Sequence, residues 1–94
     1  MSTVLHKLSK EMGIKESELV SQSVKAYIRS ELGKIESQLY ILYHKYKIKS
    51  IQEMEHAIEK GEVIESDVLD DLIKIDYLES EKTKMMNFFE MLDD

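Results

Sequence analysis

Apolar residues recur at Val20, Val24, Ile28, Leu32, Ile35, Leu39, Leu42 and Tyr46. The steps of four and three average about 3.7 residues, the repeat of one α-helical face, held for more than seven turns. No proline interrupts the run. Gly33 lies inside it and costs about 1 kcal/mol relative to alanine, yet the phase does not slip across it. The pattern therefore predicts one helix over 16–46 that passes through Gly33. At ~1.5 Å per residue such a helix is roughly 45 Å long, too long for a compact globule of 94 residues. It has to lie along another long helix.

The partner is expected over 65–92, with Val68, Leu69, Leu72, Ile75, Leu78, Met85, Met86, Phe89 and Leu92 as its apolar positions. Ser66 reads as its cap, and Asp67, Asp70 and Asp71 suit the positive end of the helix dipole. A short helix is expected over 3–12, with Val4, Leu5, Leu8 and Met12 apolar and Gly13 in the place of a left-handed C-cap. Ile14 and Leu19 then suit a hydrophobic staple around Lys15, with Glu18 at the third helical position. Ser50-Ile51-Gln52-Glu53 is a capping box, in which the Ser50 hydroxyl accepts from the Glu53 amide and the Glu53 carboxylate accepts from the Ser50 amide. It opens a second short helix over 51–60, ended by Gly61, with Ile51, Met54 and Ile58 on one face.

No segment alternates as a strand does. The expected fold is all-α and a single domain over 1–94: a long antiparallel helical hairpin with two short helices, completing a four-helix bundle by dimerisation. In that arrangement Tyr40, Tyr43 and Tyr46 lie near Val68 and Leu72, while Val20, Val24 and Tyr27 lie near Met85 to Leu92. Ile41, Tyr43, Ile73, Tyr77, Phe88 and Met91 are left over. They call for a partner surface, either a second copy or a different protein.

Composition narrows the function. With no cysteine there is no disulfide, no thiolate nucleophile and no cysteine-bound zinc. No apolar run reaches the ~18–20 residues of a membrane span. The first residues show no basic stretch followed by an apolar one, so a cytoplasmic chain is expected. The net charge of −6 is unevenly spread, with residues 1–49 at +4 and residues 50–94 at −10. The halves are partly complementary, and the acidic half would steer towards a basic partner while repelling nucleic acid.

Little in the sequence invites catalysis. His6, His44 and His56 fall on three different predicted helices, and no nucleophile elbow, phosphate-binding glycine loop or zinc-protease motif is present. No enzyme activity and no cofactor are expected. Glu53-Met54-Glu55-His56 does contain Glu-Xaa-Xaa-His, the spacing of ferritin-like metal ligands, so Glu53 and His56 are the alternative metal residues of a symmetric dimer. The ordinary explanation is a cap and a surface histidine. Residues 8–20 have helix-turn-helix spacing, and Gly13 to Val20 are similar to part of ribbon-helix-helix antitoxins, whose DNA-reading strand is missing here. Glu16 and Glu18 would oppose phosphates. His44-Lys45-Tyr46-Lys47-Ile48-Lys49 suits a helix C-terminus, where cations complement the dipole. Met85-Met86-Asn87-Phe88-Phe89 is core or an adaptable contact surface.

Leu8-Ser9-Lys10-Glu11-Met12-Gly13-Ile14-Lys15-Glu16-Ser17-Glu18-Leu19, Ser23-Val24-Lys25-Ala26-Tyr27-Ile28, Lys45-Tyr46 with Lys49-Ser50, and Leu69-Asp70-Asp71-Leu72-Ile73-Lys74-Ile75-Asp76-Tyr77-Leu78-Glu79 resemble the pattern of a family of small, all-helical, largely uncharacterised prokaryotic proteins. They are mostly archaeal and often look like the antitoxin member of a two-gene pair. Where that family often has an aromatic before the paired acids, Leu69 stands here. The resemblance implies no catalytic residue; it implies a helical scaffold that binds another protein. The candidate partner-binding residues are Tyr40, Tyr43, Tyr46, Met85, Met86, Phe88 and Phe89, and the expected partner is a second copy or a cognate protein and not a membrane, with weak helix-turn-helix DNA binding as a further alternative.

Overall fold

A helix with few glycines and no proline stops only where its last carbonyls find other partners. Three such stops divide the chain. The computed structural model describes residues 2–93, in four helices: α1 (Ser2–Met12), α2 (Glu16–Tyr46), α3 (Ile51–Glu59) and α4 (Glu65–Asp93). After α1, the amides of Gly13 and Ile14 donate to the carbonyls of Lys10 and Ser9. After α2, those of Lys47 and Ile48 donate to His44 and Tyr43; after α3, those of Gly61 and Glu62 donate to Ile58 and Ala57. Each is a Schellman closure, which needs a left-handed residue at its pivot. Gly13 (φ 69°) and Gly61 (φ 76°) supply two of them, but the third pivot is Lys47, with φ 56°. The basic run over 44–49 had not marked it as a turn of this kind.

Three starts differ in how they are capped. Lys15 stands at the cap of α2 with extended backbone and no side-chain hydrogen bond, so the dipole is met instead by Glu16 and Glu18 in the first turn. At α3 the Ser50 hydroxyl accepts from the Glu53 amide at 3.3 Å, as expected. The Glu53 carboxylate does not return to the Ser50 amide, however; it accepts from the amide of Lys49, one residue further back. The extended backbone of Ser50 (φ −159°, ψ 162°) leaves that donor free to be met. Ser66 is not the cap of α4, because the helix already begins at Glu65 and Ser66 lies in its first turn, with Asp67 donating to the Ile64 carbonyl. The remaining ends fall within a residue of expectation: α1 begins at 2, α3 ends at 59 and α4 at 93.

α2 runs unbroken through Gly33 and packs antiparallel on α4. The register follows from two pairs: Tyr46 meets Asp71 near one end, and Arg29 lies over the Phe89 ring, 5.1 Å from its centre, near the other. Between them Leu39, Leu42, Ile75 and Leu78 form the core, with Ile35, Tyr43 and Ile51 packed against it. Ile75 is fully buried. α3 folds back onto α4 and anchors there through Met54, while α1 folds onto the start of α2. At that corner the buried Ser9 hydroxyl donates to the Ile14 carbonyl. The result is a rod of 62 × 22 × 18 Å.

Candidate protein-interaction surface

The seven candidate residues do not form one surface. Tyr46 is held in a polar lock: its hydroxyl donates to the Asp71 carboxylate, whose same oxygen accepts from Lys45 Nζ at 2.8 Å. Those two donors hold the Asp71 carboxyl below the usual carboxylate range, the lysine contributing most. Tyr43, one turn earlier, is half-buried against the core and not left over as expected. Burial first, and then the negative charge of the neighbouring Glu79 carboxylate, push its phenol up to about 12. Only Tyr40 faces out, 69% exposed and stacked on His44 at 5.7 Å. Each step of three offsets the side chain by about 60°, so Tyr40 and Tyr46 lie about 120° apart and Tyr40 turns out of the seam.

Met85 and Phe89 are half-buried and belong to the α2–α4 seam, with Phe89 under the Arg29 guanidinium. Met86 and Phe88 are exposed. This cluster lies roughly 21–27 Å along α4 from the tyrosine lock, at ~1.5 Å per residue. The expected neighbours at this end are also out of place. With Arg29 opposite Phe89, little of α4 remains to cover Val20 and Val24, which stay exposed, as does Tyr27. Of the residues expected to point away from the hairpin, Ile41, Ile73, Tyr77, Phe88 and Met91 do so.

Glu53 is engaged as a cap, and His56 is exposed on α3. Among the described residues no group of three or more His, Asp or Glu side chains is arranged to hold a metal. Among the described residues no helix is long and apolar enough to cross a membrane.

One feature escaped the sequence. α3 and α4 enclose a groove of about 480 Å³ whose floor is Ile51 and Ile58 from α3 and Leu72 and Ile73 from α4. Glu55, Glu59, Glu65 and Asp76 rim it. The helical face of α3 was legible, but its juxtaposition with Leu72 and Ile73 depends on the angle at which Gly61 returns the chain.

These features define a small all-α hairpin protein with much of its apolar side-chain surface uncovered. The chain belongs to the family described as Uncharacterized protein MJ0235, whose sequence profile matches residues 1–93. It is similar to a protein of Methanocaldococcus jannaschii, described as Uncharacterized protein MJ0235, with 34% identity over 68 residues that span 72% of this chain and 83% of that one. No solved structure matches.

Proposed function

We propose that this chain is a non-enzymatic protein-interaction module that works as antitoxins do, covering a partner protein with an amphipathic helical face. One observation carries the reading. The chain exposes 7348 Å², whereas a compact monomer of 11.0 kDa exposes about 5,600 Å². The excess of about 1,700 Å² is roughly twice what a standard interface takes from one partner. Its radius of gyration is 19.5 Å, against about 12 Å for a compact domain of this length. Much of the surface is apolar, with Tyr40, Ile41, Ile73, Tyr77, Phe88 and Met91 all exposed. Surface of that size and character is what binding covers. The −10 charge of residues 50–94 favours encounter with a basic partner.

Absolute mass by light scattering over a hundredfold dilution, on the wild type and on a Phe88→Ser/Met91→Ser double variant, tests this. A wild type at twice the chain mass of 11.0 kDa, reduced to one by the double variant, means a second copy uses this face. A wild type that is monomeric throughout requires a different protein. If the double variant, still helical, keeps every complex that the wild type forms in its native host, the proposed face is wrong.

A further inference from the structure

We propose that the groove between α3 and α4 docks a cationic amphipathic helix of a partner protein. The inference rests on the interaction reading above and names the partner's chemistry. The floor is aliphatic, and Met54 of α3 is 1% exposed, so α3 is seated firmly enough to form a wall. Ile73 on the floor is 61% exposed, which leaves its face available to a ligand.

The rim gives the sign of that ligand. Some acids elsewhere are paired: Asp71 with Lys45, Glu31 with Lys34, Glu81 with Lys84, and Glu53 with the Lys49 amide. Glu55, Glu59, Glu65 and Asp76 have no ion-pair or hydrogen-bond partner among the described residues, and no lysine, arginine or histidine lines the groove. Four unpaired carboxylates around a low-dielectric floor concentrate negative potential there. A phosphate backbone and an anionic membrane surface are both repelled. A helix with an aliphatic stripe flanked by Lys or Arg satisfies floor and rim together, since those side chains lay their methylenes on apolar surface and hold the charge at the edge.

A second copy fits less well. The exposed apolar stripe of α1, Val4, Leu8 and Met12, has Lys7 and Lys10 beside it, offset in part by Glu11. The adjoining first turn of α2 adds Glu16 and Glu18.

The probe is a synthetic helix of about four turns with leucines at i, i+3, i+4 and i+7 and lysines on both flanks. Its controls are a scrambled peptide and one with glutamate for lysine. Binding to the full chain is read by fluorescence anisotropy, and the site by backbone amide shifts. The lysine peptide is expected to bind with shifts confined to residues 51–59 and 65–76. Scrambling, the Ile73→Ser variant, and a Glu55→Gln/Glu59→Gln/Asp76→Gln variant are each expected to weaken it about tenfold or more. Equal binding of the scrambled peptide overturns the proposal, because charge alone would then explain it. So does absence of binding at about 1 mM peptide. Shifts centred on Phe88 and Met91 overturn the groove and leave the interaction reading standing. A self-assembled dimer that the triple-Gln variant dissociates makes a second copy the occupant, and likewise overturns it.

Discussion

The phenol of Tyr46 on α2 donates to the carboxylate of Asp71 on α4, and Lys45 Nζ reaches the same oxygen at 2.8 Å. Near the end of the hairpin where the chain turns over through α3, this three-membered lock ties the last turn of α2 to the second turn of α4. Packing of Leu39 and Leu42 on Ile75 and Leu78 supplies most of the attraction between the two helices. The lock adds a directional contact to the register that this packing sets.

Tyr46→Phe removes one hydrogen bond from the lock and is expected to cost about 1 kcal/mol, or about 4–8 °C in melting temperature for a chain of this length. Asp71→Asn should cost at least as much. Because the folded chain holds the Asp71 carboxyl below its unfolded value, that stabilisation is present above the ordinary carboxylate range and is lost as pH falls through the depressed one. Thermal melts of wild type and Asp71→Asn should thus differ at pH 7 and converge in strong acid. A gap independent of pH would show that Asp71 acts by packing.

Alkali probes the neighbouring tyrosine. The Tyr43 phenol is raised to about 12, so the folded chain keeps a proton there that the unfolded chain gives up near 10. Stability contributed by Tyr43 is complete below 10 and declines as pH rises towards 12. Absorbance titration at 295 nm should show Tyr43 and Tyr46 ionising above the ordinary phenol value of about 10. Tyr43→Phe should remove the latest step. A titration in which all five ionise together near 10 counts against the burial of this ring.

Lys47 sits at φ 56°, in a conformation where glycine carries no side-chain penalty. Lys47→Gly is expected to stabilise the chain by about 0.5–1 kcal/mol, after allowing for the loss of a cation near the helix C-terminus. Lys47→Val should destabilise it. Denaturant midpoints in the order Gly, Lys, Val are the expected outcome, and no difference among the three would exclude strain at this turn.

Gly33 is the converse case. It is helical, and a Cβ built there meets nothing within 4 Å. Gly33→Ala should add about 0.5–1 kcal/mol by restricting the unfolded chain and removing the helical cost of glycine. A melting temperature that falls on this change would mean that a neighbouring helix approaches closely at Gly33 in the assembled protein.

Much of the architecture was legible in the sequence because helices are specified locally. The repeat over 20–46, the capping box at Ser50, and Gly13 and Gly61 mark where backbone hydrogen bonds begin and end, and each uses residues only a few positions apart. The errors fall where the deciding partner is distant. Tyr43 reads as surplus by spacing alone, yet it is half-buried against a core completed by Ile75, Leu78 and Ile51. The expected neighbours of Val20 and Val24 also fail, because the register puts Arg29, and not those valines, opposite Phe89.

Sequence alone therefore determined that the chain is two long helices and two short ones, and that its charge is divided between halves. Hydrophobic period and caps act over one or two turns and need no tertiary context. Only the tertiary structure decided which residues meet across the hairpin, which acids stay unpaired, and that Glu55, Glu59, Glu65 and Asp76 ring an apolar groove. Those outcomes depend on register and on the angle at the α3–α4 turn. Both are set by packing between residues far apart in the chain, which no local pattern encodes.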